Sequence, residues 1–166
     1  MRKLLAFLAS CGIAASIFAY ICSFSGVRVN SIFLWEAPLV LGTIALYVPI
    51  YAVEYSARES ASPWRGITWK QMARGMPSWV TPCAVLLLLI YVGHFVWFTV
   101  HTGLGVPSIR DGQYVISHGR NLRVLSQPEY FTLKAAELRM LATLMVNIYF
   151  VPMMYWWYRR NQPQTS

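Results

Sequence analysis

Residues 79–101 read WVTPCAVLLLLIYVGHFVWFTVH, an apolar run with no Lys, Arg, Asp or Glu. Hydrocarbon about 30 Å thick takes roughly 20 apolar residues of helix to cross, and this stretch is long enough. Three more stretches read the same way, 4–24, 32–53 and about 140–158, with nearly all the charge left between them. Trp35, Trp79, Trp97, Trp156 and Trp157 fall near the ends of these runs, where amphipathic rings favour the headgroup layer. The composition agrees, since 57% of the chain is hydrophobic and 12% charged, against roughly a quarter charged in ordinary globular domains. A soluble fold of 166 residues could not hide so much apolar surface. The expected class is an all-α membrane protein, a four-transmembrane-helix bundle forming one integral membrane domain over residues 1–166.

Arg2 and Lys3 before an apolar run resemble a secretory signal peptide, and Leu8-Ala9-Ser10-Cys11 resembles a bacterial lipobox. The run nevertheless continues through Cys11 to Phe24, beyond the roughly 7–15 apolar residues of a signal peptide. Retention as a membrane helix is expected, with Cys11 a small buried hydrophobe.

Lys and Arg favour the cytoplasmic side of a membrane, and an even number of spans puts both termini together. With the termini inside, Arg2, Lys3, Arg58, Arg65, Lys70, Arg74, Arg159 and Arg160 are cytoplasmic, against Arg28, Arg110, Arg120, Arg123, Lys134 and Arg139 outside. The expectation is a multi-pass protein of the bacterial cytoplasmic (inner) membrane with both termini in the cytoplasm. The basic residues behind the net charge of +8 flank apolar spans, so membrane lipids are the expected contact and nucleic acid is not.

Two extramembrane segments carry a pattern. In the cytoplasmic loop, Trp69, Met72, Ala73 and Met76 fall on one helical face beside Lys70 and Arg74. That suits a short helix lying on an anionic surface, with an irregular loop as the alternative. Between the third and fourth spans, residues 113–125 hold two runs of strand formers around His118-Gly119-Arg120-Asn121, which predicts an extracytoplasmic β-hairpin. Ser126-Gln127-Pro128-Glu129 follows as a capping box with Pro in the first turn. A helix starting there would run through Lys134, Glu137 and Arg139 into the fourth span as a rod near 50 Å long, with Pro152 free to kink it.

Ionisable groups within a span are functional candidates because they are costly in hydrocarbon. Glu36, His94, His101 and Arg139 all fall in the outer half, where they form a candidate intramembrane polar network; the simpler alternative for Glu36, His101 and Arg139 is that they reach the interface. Bis-His haem ligation, as in four-helix membrane cytochromes, lacks a His on any other span. A metal site lacks ligand spacing. The membrane oxidoreductases that reoxidise thiol oxidases use C-x-x-C pairs, whereas Cys11 and Cys22 lie ~16 Å apart along one helix. Small multidrug exporters carry an acid within the first helix, and here that helix has none. No P-loop or G-x-S-x-G elbow occurs. No cofactor is expected, and Tyr20, Tyr47, Tyr51 and Asn147 read as interhelical hydrogen-bonding residues.

The expected function is therefore non-enzymatic and works through protein–protein contacts, as an accessory subunit of an envelope complex or an immunity protein against a membrane-targeting toxin. Small size, four helices, short tails and one external hairpin resemble the architecture of immunity proteins against pore-forming bacteriocins. Tyr114, His118, Arg120 and Arg123 form the candidate partner surface. The alternative is a small transporter or cofactor-binding membrane protein centred on His94 and Glu36.

Overall fold

The computed structural model describes residues 2–24, 33–56, 73, 75–118 and 121–158. Among them the chain forms α1 (Arg2–Cys22), α2 (Phe33–Ser56), α3 (Val80–Thr102), β1 (Val106–Arg110), β2 (Gln113–His118), β3 (Asn121–Val124) and α4 (Gln127–Tyr158). Stretches Lys3–Cys22, Val80–Thr102 and Gln127–Tyr158 are each long and apolar enough to cross a membrane, and α2 adds a shorter apolar stretch, Gly42–Val53. The amphipathic segment around Trp69 lies outside the described residues.

The capping box forms as the sequence leads one to expect. The Ser126 backbone N–H and hydroxyl both donate to Glu129 Oε2 at 2.8 Å, and the Glu129 N–H returns a longer bond of 3.4 Å to Ser126 Oγ. From this start α4 continues unbroken across Pro152 for 32 residues, about 48 Å of helix. It touches the three other helices and the sheet.

The closest partner of α4 is α1, and small side chains explain why. Ala6, Ala9, Ser16 and Ala19 recur every three to seven positions and are buried, with Gly12 on the same stripe. Such a stripe lets two helix backbones approach closely. Ser10 and Ser16 turn their hydroxyls back onto the Ala6 and Gly12 carbonyls of their own helix, so the seam needs no polar partner. Opposite it, Met145, Tyr149, Tyr155 and Trp156 of α4 form the main core with Leu5, Leu46 and Ile50. Tyr149 fills the space that two glycines leave open. A Cβ added at Gly12 would stand 2.8 Å from its ring, and one added at Gly42 would collide with its hydroxyl. Cys11 departs from expectation: it lies on the exposed face of α1, because the small-residue stripe, not the cysteine, faces α4.

The expected hairpin is present but belongs to a larger unit. β2 and β3 pair antiparallel from Val115↔Val124 to His118↔Asn121, and β1 adds to the other side of β2 from Val106↔Ser117 to Arg110↔Gln113. The result is an antiparallel sheet of order β1-β2-β3. Asp111 (φ 51°) and Gly112 (φ 76°) join β1 to β2, both left-handed as a two-residue type I′ turn requires. The face bearing Ile116 lies on α4, where Ile116, Leu125 and Tyr130 form a small core with Tyr114, Phe131 and Leu133.

The seam gives a direct test. Gly42→Ala should destabilise the protein by ~1–3 kcal/mol through overpacking. In a Tyr149→Leu background the same change should cost less, the two sites being coupled through one space. Thermal unfolding midpoints of the four proteins in detergent measure the coupling; strict additivity would count against Tyr149 as the shared plug.

Candidate functional site

α3 and α4 run antiparallel, with the Trp79 and Tyr158 rings 6.5 Å apart at one end and His101 and Thr132 lining one cleft toward the other. Open space lies between these points. A cleft of about 630 Å³ opens there, walled by Ile90, Gly93, His94 and Trp97 of α3, Ala136 and Arg139 of α4, and Phe24 just beyond α1. Gly93 helps to create it, since a Cβ at that position would meet nothing within 4 Å.

His94 is held at both ring nitrogens. Its Nδ1–H donates to the Ile90 carbonyl at 2.9 Å, which leaves Nε2 of the neutral ring as an acceptor. The Tyr20 hydroxyl stands 3.4 Å from that Nε2, and the two rings meet edge to face at 5.8 Å. A ligand or proton acceptor at His94 would therefore have to displace Tyr20. Arg139 is half-buried with its guanidinium 4.8 Å from the Phe24 ring centroid, a cation–π arrangement. Among the described residues it meets no carboxylate within 4 Å.

A second cleft of about 370 Å³ continues toward the sheet, lined by Trp97, His101, Arg123, Leu125, Pro128, Glu129, Thr132 and Leu133. Trp97 divides the two, stacked on His101 at 4.0 Å. His101 turns its Nδ1–H back to the Trp97 carbonyl. Arg123 reaches from β3 to Glu129, 3.5 Å away and exposed to solvent. The Glu129 carboxyl is held below the usual carboxylate range, chiefly by the Ser126 backbone N–H, then by the Ser126 hydroxyl and Arg123.

Among the described residues no hydrogen bond or ion pair joins members of the expected polar network to one another. His94 and Arg139 share one cleft and His101 sits in the next, but the bonds of His94 go to Tyr20 and Ile90. Glu36 lies in the first turn of α2, with its side chain outside the described residues. Of the candidate partner surface, Tyr114 is half-buried against Tyr130 at 4.8 Å and Phe131 at 6.0 Å, where it seats the sheet on α4. Arg123 is exposed, the side chain of His118 and all of Arg120 lying outside the described residues. Tyr20 bonds between helices as its position suggests, whereas Asn147 donates to the Thr143 carbonyl of its own helix.

One pair was not anticipated. Lys134 Nζ and Glu137 Oε2 meet at 2.9 Å with only 16% and 10% of their side chains exposed. Both residues were placed on the helix by sequence, and their i, i+3 spacing allows the contact; nothing local in the chain signals that this face is covered. Among the described residues no three His, Cys, Asp or Glu side chains group as metal ligands. Comparison with models of protein families, with curated proteins and with solved structures gives no match.

The cap predicts a pH response. A carboxyl with a depressed folded pKa contributes its full stabilisation above the ordinary carboxylate range and loses it as pH falls through the depressed value. Acidification should therefore loosen the start of α4, seen as faster normalised amide exchange at Glu129 and Tyr130. Glu129→Gln should exchange faster already at neutral pH and respond little to acid; an unchanged acid response in that variant would assign the effect elsewhere.

Proposed function

We propose that this chain is an integral membrane protein that presents a small extramembrane platform to a protein partner. The observation that carries the membrane part is α3, in which only Val80, Phe98 and Thr102 are buried within the protein. Val85, Leu86, Leu88, Leu89, Val92 and Val96 are all exposed. Burial of such side chains contributes about 1.5–3 kcal/mol each. Leaving all six in water would forgo on the order of 10 kcal/mol, comparable to the whole net stability of a typical domain. Lipid removes that penalty. The distribution of Lys and Arg favours both termini in the cytoplasm of a bacterial cell and the sheet on the outer side.

The partner reading rests on β3. It is an edge strand, and Leu122, Arg123 and Val124 are all exposed along it, Leu122 at 54% and Val124 at 64%. An edge with unpaired backbone groups and apolar side chains is a template for pairing with another chain. Its mounting on a capped helix holds it in one orientation, which lowers the ordering cost of binding. Accessory subunits of envelope complexes and immunity proteins both work in this way, by contact and without chemistry of their own. The engaged nitrogens of His94 favour this reading over a transporter or cofactor protein built on that residue.

A photo-crosslinking residue placed at Leu122 or Val124 in native membranes should give a discrete protein adduct, and one placed at Leu88 should give lipid adducts only. Arg123→Ala should lower the yield of the protein adduct at Val124 several-fold. Lipid adducts alone at all three positions would refute the partner reading while leaving the membrane reading intact.

A further inference from the structure

The cleft between α1, α3 and α4 has a depth that can be read from the helices. Trp79 and Tyr158 pair at one end of the bundle, as aromatic residues do at a membrane interface. Arg139 lies nineteen residues along α4 from Tyr158, about 28 Å at the helical rise. That distance nearly equals the ~30 Å of bilayer hydrocarbon. Arg139 thus stands at the level of the headgroups of the opposite leaflet, on the side of the sheet. Phe24 reaches the same level by an independent count. It lies twenty-one residues from Lys3 at the other end of α1, or roughly 31–32 Å of continued helical rise.

The composition of the cleft follows this depth. Its cation sits at the headgroup boundary, fixed over the Phe24 ring. Ile90 and Gly93 of α3 form an apolar wall deeper in the leaflet, open where Gly93 has no side chain. His94 is no competitor for an anion, because its nitrogens are committed to Ile90 and Tyr20. Half-buried and without a carboxylate among the described residues, a guanidinium calls for an anionic partner, and a phosphodiester suits its planar fork. The space below it has the character of an acyl chain.

We propose that this cleft binds one anionic glycerophospholipid of the sheet-side leaflet, its phosphodiester on Arg139 and an acyl chain in the gap beside Gly93. The inference rests on the membrane reading above and is independent of the protein partner. Such a lipid would fill the space where α3 parts from α4 and so hold the two helices at a fixed spacing beneath the sheet.

The test uses the full chain purified in mild detergent and examined by native mass spectrometry with added dioleoyl phosphatidylglycerol or dioleoyl phosphatidylcholine. The wild type should retain one phosphatidylglycerol with about five- to tenfold preference over phosphatidylcholine, the scale of one cation on one lipid phosphate. Arg139→Ala should abolish the preference and Arg139→Lys should keep part of it. Gly93→Leu, which fills the gap without touching the cation, should lower occupancy by both lipids several-fold. Circular dichroism and elution volume check that each variant remains folded. Equal retention of the two lipids by the wild type would overturn the proposal, as would undiminished binding by a folded Gly93→Leu variant. Displacement of the lipid by millimolar inorganic phosphate would also overturn it, by showing a small-anion site. Extraction of the chain from cell membranes by alkaline carbonate would sink the membrane reading itself; a carbonate-resistant chain that shows no lipid preference sinks this inference alone.

Discussion

Everything else in the structure is attached to α4, and α4 depends on a short set of hydrogen bonds at its start. Four backbone N–H groups at the beginning of a helix lack partners within it. At the sheet end of this protein, Ser126 and Glu129 provide a reciprocal box, and Pro128 has no N–H to satisfy. The helix can therefore begin well before the apolar run and pass into it without a joint. α1 lies along its apolar part through the small-residue stripe, α3 runs antiparallel beside it, and the sheet rests on its first turns. Had the helix begun at residue 140, the β-strands would be a marginal hairpin on a loop. Seated on Tyr130, Phe131 and Leu133, they have a core of their own.

The two interfaces of α4 differ in kind, and the difference accounts for the clefts. Along α1, alanine, glycine and serine allow close backbone approach, and Tyr149 fills the space beside Gly12 and Gly42. Along α3, Gly93 carries no side chain and a Cβ there would meet nothing within 4 Å, which leaves the cleft open at that point. Close packing on one side and a gap on the other follow from the positions of a few small residues. Hydrophobicity alone distinguishes them poorly, since both helices are apolar throughout.

This is also why some features were legible in the chain and others were not. The helices are announced by length and composition, and the start of α4 by the Ser126–Glu129 spacing, because these are local properties. The hairpin was legible for the same reason. β1 was not recognised: it is short, holds Pro107, and Pro normally weakens the case for a strand. The signal that would have found it is Asp111-Gly112, a strong two-residue turn signal, with Pro107 tolerated because β1 is an edge strand. Burial of Lys134 and Glu137 and exposure of Cys11 could not be read, since each depends on which face of a helix is covered, and that is decided by the partner helix.

The polar residues show how position along a helix and position in the fold carry different information. By sequence His94, His101 and Arg139 fall in the outer half of their expected spans, and the structure brings them to adjoining clefts. It also separates their roles. His94, bonded to Tyr20 and to its own backbone, is a satisfied group that ties α1 to α3. Burial of such a group carries little penalty once both nitrogens are bonded. Arg139 is permanently charged and cannot be satisfied by losing its proton. The cation–π contact with Phe24 offsets only part of the cost of its partial burial. Among the described residues it is the arginine, not the histidine, that meets no group of opposite charge, and an anion beside it is what would answer that charge.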